Sequence, residues 1–439
     1  MFEGGVHWLT GSSPERPLYR VWKESGALKE NNPIYNKDPY FVLETSHGEV
    51  PLYRDPDKMY ETLVVLYPKD RCNLRRLRRH LKWFKHFHTP VGGLRGLRES
   101  RPSGFNLVEF LRMTPALLLT PFLWAESAGH YAGRFRSREL RTLFGGIMNP
   151  QHNALSFIVT LSSFAYGDSG YPTGGSLLMA RNMSDTLLSL GGEIRYRCEV
   201  TGVRSGKGVE TKDGFIPADA VIVSTDARIA IDSFFGKPLD LKWARRMREK
   251  LHTAQCMFVG IGAKEDFSNL PKSMVFELPS AFEAGGLSFD SITLHNYARD
   301  GYAPQGCTTL TVLLLGNSYR YWKNAKEDGS YREKKADVVS RLLEILYDFI
   351  PSLRGKVEVT DMATPLTVER YCGTHEGSYM AVWRPCTMPV TAPIRLRKGV
   401  YFCGQRTSLS GGLPIAASTG RKAAQHLCRD FGVTFVNGD

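Results

Sequence analysis

The most constraining stretch of this chain lies near its carboxy terminus. Gly399-Val400-Tyr401-Phe402-Cys403 reads as an apolar strand, Gly404 lets the chain turn sharply at its end, and Gly411-Gly412-Leu413-Pro414 leads into a helical pattern from Ile415 to about Arg429. Pro414 suits a first helical turn, because the N–H it lacks would have no partner there. Ala416, Ala417, Gly420, Ala423 and Ala424 give the helix a small-residue face that can approach a sheet closely. A glycine-lined helix start exposes N–H donors and the positive end of the helix dipole. It therefore suits a phosphate, an oxyanion or an electron-rich ring edge, and it equally suits a turn whose glycines serve backbone geometry alone.

The segments further upstream share this α/β character. Tyr171-Pro172-Thr173-Gly174-Gly175-Ser176 precedes a helical run from Leu177 to Leu190, which Gly191-Gly192 stops. Ile194, Tyr196, Cys198 and Val200 then alternate at period two and predict a strand. Asp213-Gly214 between Val209 and Ile216 predicts a hairpin. The continuously apolar run Ala218 to Ser224 predicts a strand buried on both faces. Beyond residue 235 the chain mixes helices such as Lys334 to Phe349 with strands such as Thr308 to Leu315, and no internal repeat is visible.

Charge is concentrated in one place. The chain of 439 residues carries a formal +13, and Lys69 to Arg101 alone holds eleven Lys or Arg against Asp70 and Glu99, a net of +9. Leu74, Leu77, Leu81, Phe84 and Phe87 recur there at helical spacing, with Arg75, Arg76, Arg78, Arg79, Lys82 and Lys85 on the rest of the turn. This basic amphipathic helix predicts either peripheral membrane contact through residues 71–88 or a helix that packs its stripe inward and solvates its charges. No zinc finger or helix-turn-helix accompanies it, so no nucleic-acid partner is expected. Phe105 to Ala128 reads as apolar helical segments interrupted at Pro115 and Pro121, shorter than a membrane span. Eight scattered cysteines without a C-x-x-C pair indicate neither a metal site nor a disulfide framework, and point to a reducing, cytoplasmic location, peripheral to a membrane if the basic helix docks.

Taken in order, five blocks resemble the FAD-dependent oxidoreductases that include phytoene desaturases, carotenoid isomerases and retinol saturase. They are Tyr171 to Ser176, Glu199 to Val203, Ala218 to Asp226, Thr364 to Tyr371, and Gly404-Gln405 with Gly411 to Pro414. Phe2-Glu3-Gly4-Gly5-Val6-His7-Trp8-Leu9 also looks like the family's segment just after its first nucleotide-binding unit. The resemblance implies a discontinuous Rossmann-like, amine-oxidase-type FAD domain in residues 1–40, 166–234 and 396–430. A substrate- or membrane-facing region would occupy 41–165 and a mixed α+β substrate domain 235–395. It further implies that Val200 meets the adenine ring and that Thr225 and Asp226 end a strand near the cofactor. Gly404 and Gln405 would lie beside the pyrophosphate and ribityl chain, and Gly411, Gly412, Leu413 and Pro414 beneath the flavin pyrimidine edge.

One departure stands out. The family opens with a βαβ unit whose G-x-G-x-x-G loop holds the FAD pyrophosphate. The two G-x-G triplets here, Gly206/Gly208 and Gly260/Gly262, have Thr211 and Glu265 where the third glycine should fall. The expected function is an FAD-dependent desaturase, saturase or isomerase acting on an elongated apolar polyene. The alternatives are a truncated remnant unable to hold FAD alone, or a basic membrane-surface module. Glu369, Arg370, His375 and Glu376 form a polar cluster in a family-like block, but no catalytic side chain is assigned.

Overall fold

The computed structural model describes residues 1–88, 91–99, 107–408 and 411–436. Arg101 of the basic segment and Phe105 of the apolar segment lie outside them. The molecule is built on a seven-stranded sheet in the order Val357–Ala363, Cys256–Ala263, Thr308–Leu315, Leu287–Asn296, Ser273–Ala284, Phe41–Thr45 and Gly48–Leu52. Neighbours are antiparallel except Ser273–Ala284 against Phe41–Thr45, so a strand from the amino-terminal tenth of the chain joins strands from its second half. One apolar layer buries Trp322, Val338, Leu342 and Leu346 of two helices against this sheet. A second layer unites Phe41, Leu43 and Val275 with the helices of residues 56–165.

The basic helix forms as α1 (Arg71–Trp83). Its stripe is buried: Leu74, Leu77, Leu81 and Phe84 all lie in the helical core. Arg78 and Lys82 pair with Asp57, while Arg75, Arg76 and Arg79 face outward. The apolar segment after it is a single helix, α2 (Leu107–Ala125), which continues through Pro115 and Pro121 instead of breaking. Ala116 and Leu123 are fully packed against the core, including α3 (Ala154–Ala165). That packing offsets the hydrogen bonds the prolines cannot make. The outer side of α2 leaves Leu107, Leu111, Leu118 and Phe122 exposed, the last at 72%.

The predicted helix after Tyr171-Pro172 is α4 (Gly175–Ser189). Its start is crowded. A Cβ on Gly175 would sit 1.7 Å from the Tyr302 hydroxyl, which explains the glycine. Glu3, buried beside it, accepts hydrogen bonds from the Gly5, Val6 and Ser176 amides (2.8, 3.0 and 2.8 Å) and from the Tyr302 hydroxyl (2.7 Å). These donors hold its carboxyl below the usual range although burial pushes the other way.

The strand predicted over Ile194 to Val200 does not form. Tyr196 and Arg197 make a turn, and pairing begins only at Val200, in β1 (Val200–Arg204). β1 forms an antiparallel meander with β2 (Gly208–Thr211) and β3 (Gly214–Pro217), joined by the predicted Asp213-Gly214 hairpin. The run Ala218 to Ser224 contracts to β4 (Val221–Val223), and it is not buried on both faces: Val223 is buried while Ile222 and Ser224 are exposed. The physical reason is common to both departures. Among the described residues β4 pairs on one side only, and 193–199 have no neighbouring strand to satisfy their backbone.

β4 leads into α5 (Ala227–Ser233), which packs with α6 (Lys242–Lys250). The carboxy-terminal β5 (Arg395–Arg397) and β6 (Val400–Phe402) complete a three-stranded sheet in the order β5, β6, β4, and α7 (Leu413–Phe431) lies over it.

Candidate functional site

β4 and β6 run parallel, with Val221, Ile222 and Val223 opposite Val400, Tyr401 and Phe402. Ligands of open parallel sheets bind outside the carboxyl ends of the strands. Here those ends carry Ser224-Thr225-Asp226 and Cys403-Gly404-Gln405, side by side. The Cys403 amide donates to the Val223 carbonyl (3.0 Å), and a Cβ on Gly404 would lie 3.4 Å from the Ser224 carbonyl oxygen. Gly404 has φ +107°, a conformation side chains rarely adopt. Its amide donates to Thr419 Oγ1 (2.9 Å), which donates in turn to the Ile415 carbonyl (2.8 Å), tying the strand end to the first turns of α7.

Gly411 and Gly412 (φ +83° and +82°) then deliver the chain to Leu413 and Pro414, the first residues of α7. A Cβ on Gly411 would lie 3.5 Å from Gln405 Oε1 and 3.7 Å from the Ala381 nitrogen. Thr225, Asp226, Gly404, Gln405, Gly411, Gly412, Leu413 and Pro414 thus belong to two turns and one helix start at the same end of the sheet. Val200 is held differently. It opens β1 opposite Thr211, in a separate sheet.

Asp226 does several things at once. It caps α5 by accepting from the Arg228 amide (2.9 Å), accepts from the His375 amide (3.2 Å), and faces Arg406 Nη2 at 3.5 Å. Both side chains of that ion pair are 2% exposed. Arg406 also donates to Ser378 Oγ (2.5 Å), yet its Nε and Nη1 are buried without a hydrogen-bond partner. Buried guanidinium donors are costly unless satisfied. Sequence reading missed Arg406; the signal was an arginine between turn glycines, immediately after Gly404-Gln405. Of the polar cluster noted in sequence, Arg370 and Glu376 are exposed, Glu369 accepts from the Tyr319 hydroxyl, and His375 contributes its backbone amide.

A two-turn glycine cradle, a buried cation with free donors and the amino end of a 19-residue helix suit an anionic or electron-rich group. The fold is shared with solved amine oxidases. The chain superposes on a putrescine oxidase triple mutant with a TM-score of 0.58 at 14% identity, covering 97% of this chain and 88% of that one. Cyclohexylamine oxidase from Brevibacterium oxydans gives 0.56 at 12% identity, covering 97% and 87%.

By sequence, the chain is similar to all-trans-retinol 13,14-reductase of Danio rerio (23% identical over 283 residues; 55% of this chain, 46% of that one). It is also similar to chloroplastic prolycopene isomerase of Daucus carota (26% over 295 residues; 61% and 45%). Prolycopene isomerase 2 of an Oncidium hybrid cultivar matches at 22% over 414 residues, 87% of this chain and 68% of that one. The chain spans about half the length of the first two relatives. No family model matches it.

Proposed function

We propose that this chain is an FAD-dependent oxidoreductase or isomerase acting on an elongated, apolar, polyene-like substrate. The observation that carries the reading is the parallel β4–β6 pair, whose carboxyl ends place Gly404 and Gln405 against the glycine-lined start of α7. The similar retinol reductase and prolycopene isomerases carry retinoid and carotenoid substrates in their names, which supports the substrate class.

FAD would supply the hydride chemistry when bound. Gly404, Gln405 and Gly411 to Pro414 would hold its flavin end, and the positive end of α7 would stabilise negative charge there. Thr225 and Asp226 would close the strand end beside it, with Val200 of β1 toward the adenine. We assign 1–40, 166–234 and 396–430 to the cofactor domain and 235–395 to the substrate domain, with 41–165, whose first strands join the substrate-domain sheet, facing substrate or membrane.

The open edge of β4 favours a further βαβ unit paired there, with 193–199 straightening into the outer strand. In the alternative, truncated-remnant reading the chain lacking that unit would not retain FAD. Membrane contact would be shared between the exposed arginines of α1 and the apolar outer side of α2, since the apolar stripe of α1 itself is buried.

The test is an FAD titration of the purified chain, alone and with a βαβ segment supplied in trans, followed by flavin fluorescence and thermal shift. Binding in either arm supports the reading. Absence of binding in both refutes it.

A further inference from the structure

A second cavity, of about 360 Å³, opens between the carboxy-terminal end of α6 and residues 381–390. Its volume falls at the lower end of the roughly 300–1,000 Å³ of small-molecule sites, room for one compact ligand. One wall is apolar, with Val382, Trp383, Met388 and Val390. The other brings Arg246, Lys250 and His252 to the rim against a single acid, Glu249. Partial burial, and after it the positive charge of nearby Arg384, lower the His252 pKa, so the positive charge of this wall rests on Arg246 and Lys250.

The cavity also connects the two features already described. At one end it is lined by Ala381, whose backbone nitrogen lies 3.7 Å from where a Cβ on Gly411, at the start of α7, would sit. At the other, Trp124 near the end of α2 donates through Nε1 to the Thr387 carbonyl (3.2 Å), as Trp383 does (2.9 Å), and the Cys386 amide donates to the Trp124 carbonyl (3.3 Å). The carboxy-terminal end of α2 is therefore tied to Cys386 and Thr387, two residues that line this cavity.

A pure hydrocarbon gains nothing from the cationic rim, whereas an apolar chain with an anionic end satisfies both walls. We propose that this cavity binds a molecule of that class: an apolar chain ending in a carboxylate or phosphate, its body along Trp383 and Met388 and its anion at Arg246 and Lys250. The inference refines the substrate class of the proposed function and rests on that reading only for its relation to the flavin.

The binding claim is testable by itself. Quenching of intrinsic tryptophan fluorescence in the full chain, without added FAD, is titrated with retinoate against retinol and with palmitate against hexadecanol. The acids are expected to bind about tenfold more tightly than the alcohols, in a salt-sensitive way, and R246Q/K250Q, both exposed positions, is expected to abolish that preference while leaving the alcohols unchanged. A lysophosphatidate arm identifies the source of the anion: tighter binding than palmitate assigns the rim to a lipid phosphate, weaker binding to a free carboxylate. Equal affinity for acid and alcohol, or a preference that survives R246Q/K250Q, overturns the proposal. Because FAD binding is measured separately, failure of the flavin reading leaves this result standing, and the converse holds as well.

Discussion

The Asp226–Arg406 pair makes the sharpest quantitative demand on the structure. At 3.5 Å, with both side chains 2% exposed, the attraction is about 5 kcal/mol at an effective dielectric of about 20. Desolvation of both groups opposes most of that, so the net worth of the pair is small while the cost of breaking it from one side is not. D226N leaves Arg406, already with two unpartnered nitrogens, without its counter-ion, and removes a carboxylate that caps α5 and accepts from the His375 amide. We expect a loss of about 3–5 kcal/mol. R406M leaves Asp226 with both backbone donors and should cost less, about 2–3 kcal/mol. The double variant D226N/R406M should be more stable than the sum of the singles by about 2 kcal/mol, because neither buried charge remains. The measurement is urea unfolding followed by circular dichroism at pH 7, with the four proteins compared as a cycle. Additivity within about 0.5 kcal/mol would refute the claim that these two residues act as a pair.

G175A should destabilise by about 2–4 kcal/mol, because its Cβ would meet the Tyr302 hydroxyl at 1.7 Å in a left-handed backbone; G191A, equally left-handed but in open space, should cost only about 1–2 kcal/mol, and equal losses in thermal unfolding would remove the packing argument. Burial lowers His7, His80 and His152 from 6.5 to about 4 and holds His295 well below 6.5, so between pH 6.5 and about 5 the unfolded chain takes up four protons that the folded one refuses. Asp168, pushed up to about 6 by burial, opposes this by one proton, and stability should fall by up to about 4 kcal/mol per pH unit as pH drops. A flat urea midpoint between pH 6.5 and 5 would contradict it. On vesicles containing anionic lipid, L118E/F122E and R75Q/R76Q/R79Q should each weaken binding, only the arginine variant reducing its dependence on salt; retention of full binding by both would exclude this face.

How much of this was legible in sequence depended on whether a segment's partners lay close along the chain. The Asp213-Gly214 hairpin, the helix ending at Gly191 and the carboxy-terminal strand–turn–helix are set by local backbone demands, and they appear where the pattern placed them. So does the grouping of Gly404 with Gly411 and Gly412, whose positive-φ backbones only glycine adopts freely. Arg406 was not legible, because its role depends on Asp226, 180 residues away, and on burial that no local pattern encodes. The helical continuity of α2 was equally hidden. Two prolines break a helix in isolation, and it is the packing of Ala116 and Leu123 that holds this one together.

The strands that failed to match expectation have a different origin. Residues 194–200 alternate as a strand and Ala218 to Ser224 read as a doubly buried one, yet the first makes a turn and the second leaves Ile222 and Ser224 exposed. In each case the side-chain pattern specifies a neighbour that none of the described residues provides. A period-two pattern records where a strand's faces are meant to point, while the backbone forms a strand only when another strand satisfies its N–H and C=O groups. The mismatch therefore lies in pairing and not in propensity. It follows that a βαβ unit bound at the β4 edge should convert 193–199 from turn to strand and bury Ile222 together. Hydrogen exchange would then slow in both segments at once, and slowing in one alone would separate the two edges and dissolve the common cause.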